Sequence, residues 1–326
     1  ADYDQDGFED LFVGARSIPG SYGLSPYSFI IKNLGGTGVD VAYQHRFGMV
    51  TDADWVDYDG DSDLDLIMCG DWMPVTIIEN QGEGVLNFVK GEAGFPQRKG
   101  FWRTLEFADV NGDGRLDVFA GNLGTNSLLR ASAADSVQLY LGDFDGNGSV
   151  DPLIFFPYFT RYMPLGSKDK YLSQLPILKK RFVSYADFAQ VSGFADMWPR
   201  GEDDIVEVKA VDELRSLLFL SGEDGYQALP LPRYAQALTI RDFHYDAKAG
   251  TLYYLGSNQD LVAVRSNAMG ARVGMIEDLP GQIPTFGQHR WLHSPHRVAG
   301  RAIVPLSEAQ AIIITNNNYP YLLQLQ

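Results

Sequence analysis

Four acidic segments of this chain place oxygen-bearing groups at one shared spacing. In each nine-residue segment, Asp or Asn stands at positions 1, 3 and 5, Asp stands at position 9, and position 7 offers a backbone carbonyl. We name these segments loops one to four, and their candidate ligands are Asp2, Asp4, Asp6, Phe8 and Asp10; Asp57, Asp59, Asp61, Asp63 and Asp65; Asp109, Asn111, Asp113, Arg115 and Asp117; and Asp143, Asp145, Asn147, Ser149 and Asp151. Ca²⁺ prefers about six to eight oxygen ligands around a sharp turn. The spacing therefore predicts up to four Ca²⁺ ions, and the all-oxygen ligand set disfavours Zn²⁺.

Position 6 decides how easily each loop can turn. It is glycine in loops one, three and four, as Gly7, Gly114 and Gly148, whereas loop two has Ser62. Glycine adopts a positive φ with little strain, and serine does not. We therefore expect loops one, three and four to bind Ca²⁺ more tightly than loop two.

Each loop is followed at once by a short apolar run. The runs at 11–14, 66–70, 118–121 and 153–156 are rich in β-branched and aromatic residues, and most of them end in glycine. Such runs are typical of buried strands. An EF-hand loop, in contrast, continues to a later glutamate ligand and lies between two helices. The pattern therefore predicts a metal loop between two strands of a hairpin.

A second element repeats after the loop and its strand. Strands at 28–33, 75–80 and 216–221 each lead into a glycine-rich turn and another short strand. Four antiparallel strands repeated at roughly 50 residues are typical of β-propeller blades. We predict an all-β fold in which residues 1–326 form a single β-propeller of six to seven four-stranded blades. Two blades, near 239–256 and 302–316, lack the acidic ligands and are expected to bind no Ca²⁺.

Residues from about 159 to 209 interrupt the repeat and predict one helical insertion. We place it between the second and third strands of the blade that carries loop four, with 216–221 as the third strand of that blade. Burial over one face of the propeller is expected for its apolar stripe, Tyr171, Leu172, Leu175, Leu178 and Phe182. Its basic cluster consists of Lys168, Lys170, Lys179, Lys180 and Arg181. This cluster is either a solvated face packed on acidic surface or part of a cap that lines a ligand site.

The composition limits the classes of partner. The 326 residues carry a net charge of −16, which argues against a nucleic-acid partner. The single cysteine, Cys69, excludes an internal disulfide framework and lies in an apolar run. No apolar stretch is long enough to span a membrane. Because Ala1 directly precedes the first ligand, we expect this chain to be the C-terminal part of a longer protein.

The four loops resemble the FG-GAP or VCBS repeats of integrin α-subunit propellers, in which such hairpins bind Ca²⁺. A narrower resemblance lies in the segments 121–126, 140–148 and 172–182, which are similar to bacterial VCBS-repeat proteins with an ASPIC/UnbV domain, relatives of cartilage acidic protein. This likeness covers roughly residues 50–270. It implies a secreted or surface-anchored protein without an established catalytic activity. The chain departs from the pattern at Ser62 and at 242–250, where ligands are missing.

Two functions follow from these observations. The first is a non-enzymatic, calcium-stabilised binding or adhesion module that is extracellular, on the cell surface or periplasmic, with a protein or glycan ligand. The second is a polysaccharide-acting lyase or hydrolase, because propellers also host enzymes built from scattered residues. The sequence shows no recognisable catalytic constellation and therefore favours the binding module.

Overall fold

The computed structural model describes residues 1–88, 95–258, 272–277, 279, 289–292, 300–307, 309–315 and 320–325. In this part of the chain, antiparallel strands form six sheets, and helices are few and short. The predicted all-β class is therefore confirmed.

Sheets one and two follow each other along the chain. Sheet one consists of β1 (Leu11–Val13), β2 (Ser28–Asn33) and β3 (Val39–His45). Sheet two consists of β4 (Met49–Val56), β5 (Asp65–Met73), β6 (Thr76–Asn80) and β7 (Leu86–Asn87), with β8 (Gly100–Phe101) paired to the far end of β5. All residues of β5 are buried, as its continuous apolar run predicts.

The chain begins sheet three, leaves it to build sheet four, and then returns. The first two strands of sheet three are β9 (Thr104–Ala108) and β10 (Asp117–Gly121). Sheet four then forms from β11 (Val137–Gly142), β12 (Asp151–Tyr158), β13 (Arg161–Pro164) and β14 (Ile205–Val211), in the spatial order β13-β12-β11-β14. Sheet three is completed by β15 (Leu217–Leu220) and β16 (Gln227–Pro230), with β15 paired to β10.

This topology corrects the predicted position of the insertion. The strand expected at 216–221 belongs to the sheet of loop three, because β15 pairs with β10 and the Ser221 N–H donates to Asp117 at 2.7 Å. All of sheet four, together with loop four, is thus inserted between the second and third strands of sheet three. The predicted assignment of 216–221 to the blade of loop four is wrong.

The helices lie between β13 and β14, inside the predicted range. They are α1 (Lys168–Gln174), a 3₁₀ turn (Pro176–Lys180), α2 (Tyr185–Phe188) and α3 (Phe194–Met197). A further 3₁₀ turn (Ala235–Ala237) follows β16. The side chain of Ser167 caps α1, and Ser184 forms a capping box with Asp187 in α2.

The predicted apolar stripe of the helices is fully buried. It packs on Leu153 and Phe155 of sheet four and on Trp198, which closes the same core. None of the five basic residues forms an ion pair within the described residues. Lys168 instead lies over the ring of Tyr185 at 4.9 Å.

Sheets five and six complete the described part. Sheet five consists of β17 (Ile240–Asp246), β18 (Thr251–Gly256), β19 (Arg272–Ile276) and β20 (His289–Leu292). Sheet six consists of β21 (Gly300–Ser307), β22 (Gln310–Thr315) and β23 (Tyr321–Gln324). The strands predicted near 239–256 and 302–316 are confirmed, except that residue 316 lies outside the described residues.

The first strands of sheets two, three, five and six lie side by side. β4 contacts β9, β9 contacts β17, and β17 contacts β21. Each contact includes a hydrogen bond from a backbone N–H to a carboxylate. Asp52 on β4 accepts from Leu105 on β9 at 2.8 Å, and Glu106 on β9 accepts from Tyr245 on β17 at 2.8 Å. Asp242 on β17 accepts from Ile303 on β21 at 2.6 Å. These bonds tie the sheets together along one shared edge. Among the described residues, no helix is both long and apolar enough to cross a membrane.

Candidate metal centres

Every acidic loop turns at two residues in the left-handed region. At position 6, φ is +92° in Gly7, +77° in Ser62, +83° in Gly114 and +84° in Gly148. At position 4, φ is +57° in Gln5, +83° in Gly60, +76° in Gly112 and +76° in Gly146. The predicted left-handed strain at Ser62 is confirmed. Gln5 bears the same strain in loop one. The other three loops have glycine at position 4, and this pattern in the sequence already indicated that position 4 needs a positive φ.

Backbone N–H groups hold the ligand side chains of each loop in place. The carboxylate at position 1 accepts from position 6 in all four loops, as Gly148 N–H does to Asp143 at 2.8 Å. The side chain at position 5 accepts from position 7 at 2.8–3.0 Å. These bonds fix the side chains over the turn before any ion binds. The side chains of Phe8 and Arg115 at position 7 have no oxygen, so their backbone carbonyls are the candidate ligands.

The aspartate at position 9 joins each loop to the rest of its sheet. Asp10, Asp65 and Asp117 accept the N–H groups of Asn33, Asn80 and Ser221 at 2.8, 2.7 and 2.7 Å. Asn33 ends β2 of sheet one, Asn80 ends β6 of sheet two, and Ser221 directly follows β15 of sheet three. Sequence reasoning missed them, although the repeated polar residue before each glycine-rich turn was a signal.

Three loops gather carboxylates closely enough to share one cation. Asp2, Asp4 and Asp6 offer oxygens within 4.8 Å of one another, and so do Asp57, Asp59 and Asp61, and Asp143, Asp145 and Asp151. Loop three has an amide at position 3, where Asn111 donates to Asp113 at 3.1 Å. Its carboxylates do not form such a group in the described part of the chain.

Burial makes the carboxylates at position 9 costly to ionise without a counter-charge. It raises the pKa of Asp65 to about 6, even though Asn80 and Tyr58 donate hydrogen bonds to this carboxylate. Burial also raises the pKa of Asp10, Asp117 and Asp151. A bound cation would provide the missing positive charge.

Two of these carboxylates keep an oxygen with no partner. Asp10 Oδ2 and Asp151 Oδ2 are buried and accept no hydrogen bond of normal geometry, although the N–H groups of Tyr3 and Phe144 lie near enough to lower the pKa of the two carboxylates. Both oxygens of Asp117, in contrast, accept hydrogen bonds, from Val110 and Ser221. Because an unsatisfied buried oxygen is unfavourable, loops one and four fit an oxygen-binding cation such as Ca²⁺ well.

Loop one already contains a cation from the protein. The ammonium group of Lys32 contacts Asp4 and lies 3.0 Å from Asp6. Hydrogen bonds to Asp4 and Asp6 raise the pKa of Lys32, so it is charged at neutral pH. Two of the predicted ligands are therefore occupied by an amine. No sequence signal placed Lys32 near loop one, because β2 lies more than twenty residues downstream.

The helical segment contacts loop four at the end of β12 that β13 does not reach, because β13 pairs only with Phe155–Tyr158 of β12. Gln174 at the end of α1 donates to Asp151 at 3.3 Å and to the Pro152 carbonyl at 3.4 Å. Phe144 at position 2 of the loop packs against Phe194 and Trp198. The helices therefore help to set the position of loop four beyond the end of β13.

Sheet five has no loop of this kind between β17 and β18, where all residues are described. β17 runs through Asp246 and β18 begins at Thr251, so Asp242 and His244 lie in a strand. Asp246 instead accepts the N–H groups of Lys248 and Ala249 within a tight turn.

Comparison with known proteins matches part of the chain to a repeat family. Residues 57–120 match the FG-GAP-like repeat family. This range begins at loop two and ends in β10, so it contains both loop two and loop three. The match supports an FG-GAP-type family for this part of the chain. No curated protein matches the sequence. The likeness to ASPIC/UnbV-associated proteins stays a prediction.

Proposed function

We propose that this chain is a non-enzymatic, calcium-stabilised binding module built on a β-propeller. Sheets one, two, three, five and six are its blades, and sheet four is an inserted layer. Support for this arrangement comes from the first strands, which contact each other in chain order from β4 to β21. The FG-GAP-like match over two of the loops supports the same architecture.

The calcium sites are the four acidic loops, and one observation carries this part of the proposal. Loops one, two and four each bring three carboxylates within 4.8 Å, over a turn already fixed by hydrogen bonds. We expect loop four to bind most tightly, because both turn residues are glycine and Asp151 offers a free buried oxygen. The Lys32 ammonium group lowers the expected affinity of loop one relative to the sequence-based ranking.

Calcium would stabilise the blades by joining strands that are distant in sequence. In loops two and three, the position 9 carboxylate already contacts the end of the third strand, and positions 1 to 5 follow the first strand. An ion shared by them would hold three strands together and relieve repulsion among the carboxylates. Because Ca²⁺ binds the folded chain only, its binding would raise the free energy of unfolding.

The setting proposed for this function is extracellular, at the cell surface or periplasmic. Exposed Asp-rich loops of extracellular modules bind Ca²⁺ with dissociation constants of roughly 10⁻⁴–10⁻³ M, which suits calcium concentrations outside cells. The ligand would be a protein or a glycan.

Calorimetric titration of chelator-treated protein with CaCl₂ tests the proposal. We expect at least two ions to bind per chain, and a raised Tm in their presence. Asp143→Ala and Asp113→Ala should each remove one ion, whereas Asp246→Ala, in the tight turn of sheet five, should remove none. Asp143→Asn retains the hydrogen-bond acceptor and separates loss of charge from loss of the turn. No binding at millimolar Ca²⁺ would overturn the proposal.

A further inference from the structure

A cavity of about 390 Å³ lies where sheet four and α1 face the ends of sheets one, two and three. Its floor includes Asp71, Trp72 and Phe101, and its opposite wall includes Ile154 and Lys170. Small-molecule sites occupy cavities of roughly 300–1,000 Å³ with apolar walls and a few polar groups. The volume and the mixed lining of this cavity fit that description.

The cavity carries excess positive charge in an acidic protein. Asp71, whose side chain is 2% exposed, accepts from Arg16 at 2.8 Å and from Arg103 at 2.6 Å. Lys170 lines the cavity and forms no ion pair among the described residues. Three cations and one carboxylate therefore line the cavity, although the chain as a whole has a net charge of −16. Such a local field attracts an anion.

Two polar groups in the cavity wall have no partner. The Nε–H of Arg103 and the Oγ of Ser127 are buried and form no hydrogen bond. Leaving a buried donor unpaired is unfavourable, so native proteins rarely do so without a reason. A ligand oxygen that accepts from Arg103 would satisfy this donor.

The apolar floor is held by a strained residue. Trp72 has a φ of +62°, which a non-glycine residue rarely adopts. Its indole N–H donates to the Tyr22 hydroxyl at 3.0 Å, and its ring meets Phe101 edge to face at 4.9 Å. Strain of this kind concentrates at ligand sites. The fixed aromatic surface would contact the carbon skeleton of a bound molecule.

We propose that this cavity binds a small organic molecule through a carboxylate, with Arg16, Arg103 and Lys170 as its cationic contacts. Guanidinium groups recognise carboxylates through paired, charge-assisted hydrogen bonds. The apolar floor adds contact area that an inorganic anion could not use. The inference rests on the proposed binding function and names its ligand class. Acidic sugars and acylated amino acids both present this carboxylate.

Calorimetric titration with D-galacturonate and with N-acetylglycine identifies the source of the carboxylate. We expect at least one of them to bind about tenfold more tightly than D-galactose, which lacks the charge. Binding by galacturonate assigns the site to acidic sugars, and binding by N-acetylglycine alone assigns it to peptide-like carboxylates. Equal binding of galactose, or binding of inorganic phosphate alone, would overturn the proposal. No binding by any carboxylate would do the same.

Variants test whether the carboxylate measured by calorimetry binds in the cavity. Arg16→Gln and Lys170→Gln change exposed cations and should each weaken binding about tenfold without unfolding the chain. Lys180→Gln, which changes an exposed lysine of the same helical segment outside the cavity, is the matched control and should have no effect. If Lys180→Gln weakens binding as much as Arg16→Gln, the carboxylate binds elsewhere.

The two proposals can fail separately. The carboxylate titration is run once with saturating CaCl₂ and once with chelator, and ion binding is measured in its own titration. A chain that binds Ca²⁺ but no carboxylate keeps the calcium proposal and loses the cavity. A chain that binds the carboxylate but no Ca²⁺ gives the opposite result.

Discussion

The ammonium nitrogen of Lys32 lies 3.0 Å from a carboxylate oxygen of Asp6, inside the loop predicted to bind the first calcium ion. It also contacts Asp4, whose side chain is only 7% exposed. The hydrogen bond from Lys32 lowers the pKa of Asp6. In loop one, a side chain of the protein would therefore compete with a bound cation.

Removing this amine should strengthen calcium binding at loop one. We expect Lys32→Met to lower the dissociation constant of that site about tenfold, because Asp4 and Asp6 regain free oxygens. Stepwise calorimetric titration of chelator-treated protein measures the change. Lys180→Met is the control and should leave all sites unchanged. An unaltered titration of the Lys32 variant would show that the amine leaves loop one when the ion binds.

Glycine at the strained turn positions should stabilise the chain. Ser62 and Gln5 hold positive φ values of +77° and +57°. Ser62→Gly should raise the free energy of unfolding by about 0.5–1 kcal/mol, since relief of strain exceeds the added entropy of the unfolded chain. Gln5→Gly should raise it less, because this change also removes the hydrogen bond that Gln5 donates to Asp63 at 2.7 Å. Urea denaturation in the presence of chelator measures this without a contribution from metal. Ser149→Gly, at a position without positive φ, should be neutral or slightly destabilising. A destabilised Ser62→Gly would contradict the strain.

Glu106 should make stability depend on pH. Burial, followed by the nearby carboxylates of Asp242, Asp54 and Asp52, raises its pKa to about 7. An unfolded glutamate titrates near pH 4.3, so between roughly pH 4 and 7 the folded state holds a proton that the unfolded state has lost. The contribution of protonated Glu106 to the free energy of unfolding is therefore complete below pH 4 and is lost as the pH rises through about 7.

Neutralising this side chain tests that dependence. We expect Glu106→Gln to raise the free energy of unfolding at pH 8 by about 1–3 kcal/mol and to have little effect at pH 4. The amide oxygen can still accept the Tyr245 N–H, now at 2.8 Å from the carboxylate. Denaturation curves at both pH values are compared with those of Glu223→Gln, an exposed glutamate. An equal effect at pH 4 and pH 8 would rule out titration as the cause.

Local patterns could be predicted from the sequence because they depend on neighbouring residues. The spacing of loop two and the buried run of β5 lie within one hairpin, and the structure contains both. The partner of β10 could not be predicted in this way. Phe119 pairs with Leu218, and all the strands of sheet four lie between these two residues in the sequence. Lys32 and the cavity around Asp71 were missed for the same reason. Their contacts join residues from different strands and sheets, and no spacing in the sequence records them.

The link between loops one and two should be necessary for stability with or without calcium. Asn80 is fully buried, and its side-chain amide donates to the Tyr3 carbonyl at 2.7 Å and to the Leu64 carbonyl at 3.2 Å. Asn80→Ala would leave both carbonyls without this donor and should cost about 1–3 kcal/mol of unfolding free energy. Because these bonds do not involve a metal ligand, the loss should be similar in chelator and in CaCl₂. Gln81→Ala, one residue further and exposed, should change stability by less than about 0.5 kcal/mol. If Asn80→Ala destabilises only in the presence of CaCl₂, Asn80 acts through the ion, because the hydrogen bonds alone would act equally in both conditions.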